Sequence, residues 1–335
     1  MAGRTPRVVT SPRVTVVVPS YNGARFLPRA LDSIAAQTFR DYEVVVVDNY
    51  STDDTEKIAR SYSGRLPLSF VTAESNLAEA RDIGMKHARG EYIAFLDTDD
   101  EWRPDKLRKQ VEFLDSHRDI PLCHTCCEII DEDSNVLQIR HDGLLPPTGP
   151  CYYKLLEHCW ITISTVMIRR TLFTEDGILF PPLPKKGGAG EDLRFYLQVA
   201  RRYPLGLVDE VLAGYRKTST GLSGVAGWRT GPQDMRALEL VLNEPQCWEG
   251  FAPRETILQA ITRAAAYNSA YWRNQGMNLR AIWFAGKGLR HGPFSVLLWR
   301  ELSISLAKGA LSPMLFVKRR LINKPAANKG AQYGC

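Results

Sequence analysis

No stretch of this chain is apolar for the roughly 18 residues that a membrane-spanning helix needs, so a spanning helix is not expected. The basic start, MAGRTPRVVTSPR, leads into no long apolar core, which argues against a signal peptide. The glycine fingerprint G-x-G-x-x-G does not follow the first strand-like run, and no P-loop occurs. Gly187-Gly-Ala-Gly190 comes late and lacks the Lys-Ser/Thr that a P-loop requires, so it reads as a loop. These absences set aside the common dinucleotide fold and the P-loop nucleotidases. Cysteine is present but unpatterned. Seven residues, odd in number and irregularly spaced, do not make the framework of a secreted disulfide scaffold, and a reducing cytoplasm is expected. Cys123-His-Thr-Cys126-Cys127 lacks a second spaced pair for structural zinc, since Cys151 and Cys159 are not spaced as one. It reads as part of a buried strand.

Positive charge is also scarce where a nucleic-acid binder would need it. The net charge is +6, but residues 290–335 hold eight Lys or Arg against one Glu, so the preceding residues come out near −1. No nucleic-acid partner is expected of the body. Hydrophobic residues at 44% and charged residues at 24% are those of an ordinary globular protein. At 335 residues the chain can bury a full core, as one large domain with an appendage or as two domains.

The most informative stretch is Gly90–Trp102, GEYIAFLDTDDEW. An apolar run, Tyr92–Leu96, stops at Asp97, Asp99 and Asp100. Tyr, Ile and Phe favour a strand and Asp does not, so the acids should sit at the strand's carboxyl end, where open α/β sheets place their ligand crevice. Clustered carboxylates repel unless a cation compensates, and hard oxygen donors suit Mg²⁺ or Mn²⁺ carrying substrate phosphates. A solvated acidic turn capping the next helix is the plainer alternative.

Strand and helix patterns alternate along the chain. Val14–Val18 and Val44–Val47 are β-branched runs fit for strands buried on both faces. Between them, Leu27, Ala30, Leu31 and Ile34 line one helix face. Helices are expected over Glu56–Tyr62 and Ala78–Ala88, the latter ended by Gly90, with a strand at Leu68–Thr72. Pro121–Ile130 reads as a strand leaving the acidic edge, and Ile161–Arg169 and Val208–Ala213 as further strands. This is an α/β protein with a mostly parallel sheet flanked by helices. Its strand ends gather Tyr21, Asp48, Asn49 and Asp97–Asp100 in one crevice able to hold a base, a ribose and a diphosphate.

Five motifs, Pro19-Ser-Tyr-Asn22, Val47-Asp48-Asn49-Tyr-Ser51-Thr-Asp53, Ala80-Arg81, Gly90–Asp100 and Gly190-Glu191-Asp192, resemble in order and spacing the family 2 glycosyltransferases. The resemblance covers residues 13–225. It implies a GT-A (nucleotide-diphospho-sugar transferase) fold, with a nucleotide-sugar-binding half at 13–100 and an acceptor half at 101–225; the helical spacing of apolar residues over 231–285 adds a helical C-terminal region at 226–335. The resemblance further implies an inverting transferase that moves a sugar from a nucleotide-diphosphate donor to a hydroxyl of a glycan or lipid-linked acceptor, in surface polysaccharide synthesis. Pro19 and Tyr21 would line the nucleobase pocket, and Asp48 and Asn49 would meet base or ribose. Asn49 stands where many members carry a second Asp, and an amide can donate as well as accept. Arg81 would contact base or phosphate, from a loop shorter than usual. Asp97-Thr-Asp99 is the D-x-D element, with Asp99 or Asp100 on Mg²⁺ or Mn²⁺ and Asp97 on the ribose. Asp192 would be the general base, with Glu191 beside it at a helix start that stabilises anions. Thr218 stands where relatives often carry a His, so either that ligand is lost or Arg216 and Lys217 cover the phosphates, and Thr218–Gly224 reads as a lid over the donor or as a plain loop.

A non-catalytic sugar-nucleotide-binding or scaffold protein is the main alternative; a nucleotidyltransferase would leave Asp192 without a role. Residues 293–321 interleave apolar side chains with a basic end. They read either as an in-plane membrane helix or as terminal packing, which places the protein in the cytoplasm, at the inner face of the membrane in the first case.

Overall fold

The computed structural model describes residues 11–139, 146–157, 161–182, 190–218, 237–244, 253–274 and 277–307. By internal contacts the chain divides into two compact units, Met1–Ile257 and Leu258–Cys335.

The first unit is organised by β1 (Val14–Ser20), whose seven residues are all buried. A run of valines in a central parallel strand has helices on both faces, and β-branched side chains pack well there. The chain then moves outward through α1 (Leu27–Ala35), β2 (Tyr42–Asp48), α2 (Thr55–Ser61) and β3 (Leu68–Thr72). It returns through α3 (Leu77–His87) to β4 (Tyr92–Phe95), on the other side of β1. Helix α1 buries the face formed by Leu27, Ala30, Leu31 and Ile34 and opens on Pro28, whose fixed φ suits a first turn. Helix α3 starts with a capping box, Asn76 accepting from the Glu79 N–H and Glu79 from the Asn76 N–H.

There follow β5 (Glu101–Trp102), α4 (Lys106–Ser116), β6 (Leu122–Ile130), β7 (Val136–Ile139) and α5 (Tyr152–Glu157). After them come β8 (Met167–Arg169), α6 (Thr171–Thr174), α7 (Glu191–Ala200) and β9 (Gly206–Arg216). The described strands form one sheet in the order β3-β2-β1-β4-β8-β6-β9-β5, with β7 beside β6. β1 to β4, β6 and β9 run one way, because β8 is antiparallel to both β4 and β6. Strand β6 therefore arrives at the acidic edge and does not leave it, a correction to the sequence reading; an apolar run carries no direction. The expected strand Ile161–Arg169 is also shorter. Ile163–Thr165 forms a tight 3₁₀ turn, because Thr165 donates its hydroxyl to the Thr162 carbonyl at 2.6 Å, a local bond that competes with strand pairing.

Helix α3 lies unusually near β1. A Cβ at Gly84 would sit 2.2 Å from Val17 Cγ1, so only glycine allows the approach. Gly84→Ala is expected to destabilise the protein by about 1–3 kcal/mol in urea unfolding. Gly64→Ala, with nothing within 4 Å of the new carbon, should stay near native and serve as the control. Equal midpoints for the two variants would show that the contact is slack.

Helix α8 (Arg254–Asn274), which belongs to the second unit from Leu258 on, and helix α9 (Asn278–Leu289) form an antiparallel pair. Ser269 donates its hydroxyl to the Ala281 carbonyl at 2.8 Å, and Gly288 packs directly against Ala265 and Leu298. A further helix spans 296–307, with Leu298, Glu301 and Ser305 buried and Glu301 paired with Arg273. Among the described residues no helix is long and apolar enough to cross a membrane. The expected lid beyond Thr218 and residues 308–321 of the basic tail lie outside the described residues, as do Trp228 and Trp248, which the sequence offers as core packing or the wall of an acceptor groove, and the lone His141 and His158, which it offers as structural.

Candidate active site

The order of the strands reverses between β1 and β4, and the carboxyl ends of β1, β2 and β4 share one edge, where such sheets bind ligands. The loops there are cross-bonded. The Asn22 N–H donates to Ser51 Oγ at 2.7 Å, Gly23 N–H to Thr55 Oγ1 at 2.9 Å and Ala24 N–H to Asp53 Oδ2 at 3.0 Å. In return the Thr52 N–H donates to Asn22 Oδ1 at 2.8 Å. Asn22 and Tyr50 hold positive φ, 47° and 50°, which turns both loops sharply. Pro19 is buried and Tyr21 stands exposed above it.

Asp48 is buried at the end of β2, where its carboxylate accepts from the Ser51 N–H at 2.9 Å and the Ser51 hydroxyl at 2.5 Å. Asn49 is oriented by the Ser75 N–H, which donates to its Oδ1 at 3.0 Å. A backbone donor fixes which amide atom is oxygen, so the NH₂ of Asn49 is left to offer hydrogens to a ligand.

The three acids after β4 have three different surroundings. Asp97 accepts from Arg81 at 2.8 Å. Asp99 is half-buried and, among the described residues, accepts its own backbone N–H; burial, then the charge of Asp97, push its carboxyl up to about 6. Asp100 is fully buried. Its two oxygens accept from the Arg216 N–H at 2.9 Å and the Ser164 hydroxyl at 2.5 Å, and burial, followed by the charges of Asp99 and Asp97, raises its carboxyl well above the usual range. Asp100, expected beside Asp99 on a metal, is thus turned inward and engaged by the protein.

Arg81, expected on base or phosphate, is instead built into the framework. It is 1% exposed; one Nη donates to Asp97 and the other to Glu191 at 2.7 Å, and the guanidinium lies 5.4 Å from the Phe180 ring centroid. Two carboxylates hold its pKa above the ordinary arginine value against the burial that lowers it. Phe180 stacks on Phe195 at 4.2 Å and meets Phe95 edge-on at 5.4 Å. Arg216 has a similar fate. Its Nε donates to the Asp99 carbonyl at 2.8 Å, and its remaining donors reach the Asp131 carbonyl, Glu101 and Ser134. Of the two cations expected over the phosphates, Lys217 is the one with an exposed side chain.

Gly190, with φ at 87°, starts α7, so Glu191 and Asp192 occupy its first turn, where the helix dipole favours anions. Glu191 is buried under Arg81. Asp192 is half-buried, and its Oδ1 accepts from the Leu193 N–H at 2.8 Å.

Sequence reasoning missed Ser164. Its hydroxyl, 1% exposed with its residue, donates to Asp100 and accepts the Asp97 N–H at 3.1 Å. The Ser164 carbonyl accepts from the Trp102 indole at 2.7 Å, and the neighbouring Thr165 carbonyl from Gln110 at 2.9 Å. Gln110 in turn accepts from buried Lys106 at 2.6 Å; the Lys106 ammonium lies 4.1 Å over the Trp102 ring, and burial lowers its pKa to about 7. The available signal was three hydroxyls, Thr162, Ser164 and Thr165, inside an otherwise apolar stretch, since buried hydroxyls need partners.

No three His, Cys, Asp or Glu side chains converge as a metal site among the described residues. The donor set still fits one hard divalent cation. Asp99 is a half-buried carboxylate whose charge is raised in energy by Asp97, and Mg²⁺ or Mn²⁺ commonly takes one or two protein carboxylates and completes its shell with phosphate and water.

Comparison with known proteins gives consistent relatives. The profile of glycosyl transferase family 2 matches residues 15–177. An uncharacterized glycosyltransferase of Rickettsia conorii is 31% identical over 211 residues, 63% of this chain and 34% of the relative. The putative teichuronic acid biosynthesis glycosyltransferase TuaG of Bacillus subtilis is 30% identical over 216 residues, 63% of this chain and 82% of TuaG. The Escherichia coli UDP-Glc:alpha-D-GlcNAc-diphosphoundecaprenol beta-1,3-glucosyltransferase WfgD is 32% identical over 160 residues, 48% of this chain and 61% of WfgD. The chain spans about a third of the length of the relatives from Rickettsia conorii, Rickettsia felis and Rickettsia bellii. Among solved structures, Staphylococcus aureus TarS 1–349 in complex with UDP-GlcNAc superposes with a TM-score of 0.60 at 20% identity, over 83% of this chain and 81% of that one. The mannosyltransferase PcManGT of Pyrobaculum calidifontis, in complex with GDP-Man and Mn2+, gives 0.55 at 21%, over 91% and 88%.

Proposed function

The chain belongs to glycosyl transferase family 2 and has a GT-A fold, and on that premise we propose that it transfers a sugar, with inversion, from a nucleotide-diphosphate donor to a hydroxyl of a glycan or lipid-linked acceptor in surface polysaccharide synthesis. The observation that carries this reading is the Arg81 bridge. One guanidinium ties Asp97, at the donor edge, to Glu191, next to Asp192, so the acid loop and the start of α7 form one site.

The nucleobase stacks near Tyr21, over the cross-bonded loops, and the NH₂ of Asn49 donates to an acceptor on base or ribose. Lys217, carried by a backbone that Arg216 anchors to Asp99 and Asp100, reaches the phosphates. Asp99 would hold Mg²⁺ or Mn²⁺, which offsets the charge of the departing diphosphate. Arg81 neutralises Glu191, which leaves Asp192 to take the proton from the acceptor hydroxyl. The acceptor oxygen then attacks the anomeric carbon from the face opposite the diphosphate, and one displacement with one base inverts configuration. TuaG and WfgD support a surface-glycan acceptor, the latter by a name that specifies a diphosphoundecaprenol-linked one. The protein works in the cytoplasm, at the inner face of the membrane where such an acceptor is presented.

The test is the product formed from a panel of nucleotide sugars. Free nucleoside diphosphate supports the transferase, pyrophosphate would indicate a nucleotidyltransferase, and binding without product a scaffold. A paired substitution separates Asp99 from Asp100. Asp99→Ala should keep the native melting temperature but lose the Mn²⁺-dependent stabilisation by nucleotide sugar. Asp100→Ala, which strands the Ser164 hydroxyl and the Arg216 N–H, should melt lower before any ligand is added. The assignment fails if Asp99→Ala responds to Mn²⁺ and donor like the native protein.

A further inference from the structure

The second unit leaves large apolar side chains in water on two consecutive helices. On α9, Ala281, Phe284, Ala285 and Gly288 are buried at helical spacing. The opposite face presents Leu279, 82% exposed, Trp283 and, about two turns further on, Arg290. The helix at 296–307 repeats the arrangement. Leu298, Glu301 and Ser305 face inward, while Val296, 82% exposed, Trp299 and Leu306 face outward. Between the helices Phe294 is 95% exposed. Isolated exposed leucines are common, but with Leu297 there are seven large apolar side chains exposed within 28 residues, and these make a patch that calls for a partner.

The charges around the patch select that partner. From 277 to 307 the chain carries Arg280, Lys287, Arg290 and Arg300 against a single acid, Glu301, which is buried and paired with Arg273. Lys287 lies 5.4 Å from the Trp283 ring centroid, so one cation rides on the apolar face itself. A second copy of this chain suits the patch poorly, since a self-complementary two-fold contact would bring these cations to face their own copies. An anionic lipid surface satisfies both features. The apolar side chains enter the headgroup boundary, the two tryptophans sit where an apolar ring with a polar edge is most stable, and the cations meet lipid phosphates.

We infer that α9 and the helix at 296–307 bind the surface of an anionic membrane through Leu279, Trp283, Phe294, Val296, Trp299 and Leu306. The surface expected from the sequence at 293–321 thus extends back to α9. The inference deepens the proposed function by giving the site of contact with a membrane that carries a lipid-linked acceptor, and it rests on that reading only for the identity of that membrane.

The experiment is flotation of the full chain with vesicles of phosphatidylcholine alone or mixed with phosphatidylglycerol, at low and high salt. Flotation is expected with the phosphatidylglycerol vesicles at low salt and should weaken as salt screens the cations. Arg290→Gln and Arg300→Gln, both exposed, should each weaken partitioning about five-fold, the equivalent of about 1 kcal/mol per cation. The combined change Leu279→Ser, Trp283→Ser, Phe294→Ser and Trp299→Ser should abolish flotation without altering the far-ultraviolet circular dichroism. Equal flotation of this variant and the native chain overturns the inference. So does a native chain that stays with the pellet on phosphatidylglycerol, or a concentration-dependent dimer that the variant loses, which would make a second copy the occupant. Nucleoside-diphosphate release with a soluble acceptor reports on the transfer reaction separately, so failure of either reading leaves the other standing.

Discussion

Asp192→Asn lowers turnover by about 10²–10⁴-fold, the usual contribution of a positioned base, with donor affinity nearly unchanged. The amide keeps the shape of the carboxylate and can still accept the Leu193 N–H, so the first turn of α7 keeps its local bond. What is lost is the capacity to take a proton. Glu191→Gln is the informative companion, because Glu191 faces Arg81 and should act through the position of Asp97 and the helix start. Its loss is expected in both turnover and stability. The measurement is steady-state turnover alongside donor titration of the same preparations. A defect confined to donor affinity in Asp192→Asn would remove Asp192 from the base role.

Arg81→Met destabilises the protein by about 3–5 kcal/mol, the range for removing one partner from a buried ion pair. Methionine fills much of the volume but leaves Asp97 and Glu191 close together without the cation that both were accepting from. Arg81→Lys should also fail, since a single ammonium on a flexible stem cannot hold both carboxylates in the fork geometry of a guanidinium. Urea unfolding is the measurement, and the double change Arg81→Met with Glu191→Gln should recover part of the loss by removing one of the two stranded charges. Native-like stability in Arg81→Met would mean that the bridge contributes nothing to the fold.

The parts of this architecture visible in the sequence were those written in local chemistry. Valine runs flanked by turn residues gave β1 and β2, the spacing of Leu27, Ala30, Leu31 and Ile34 gave α1, and the abrupt change from Phe95 and Leu96 to three aspartates gave the ligand edge. The parts that were not visible depend on partners far along the chain. Arg81 and Arg216 look like phosphate ligands from sequence because an arginine near such motifs usually is one; only burial reveals that Glu191, 110 positions from Arg81, and Glu101, 115 positions from Arg216, have already claimed the two guanidinium groups. The division of labour between Asp99 and Asp100 is equally hidden, since it hinges on Ser164, 64 residues on. The direction of β6 could not be read from its composition, because it is fixed by the short reversed strand β8.

The cross-bonded loops beneath Tyr21 carry a consequence for the thermodynamics of donor binding. Asn22, Ser51, Thr52, Asp53 and Thr55 hold each other through bonds within the protein, so little backbone on that side has to be frozen when the nucleotide arrives. Ordering a residue's backbone costs about 1–2 kcal/mol, and that entropy has been spent during folding. Calorimetry of a nucleoside diphosphate should therefore show a favourable enthalpy with little opposing entropy from this wall. Cutting the staple with Asn22→Gly should shift the balance toward a larger entropic penalty even where the free energy of binding changes little.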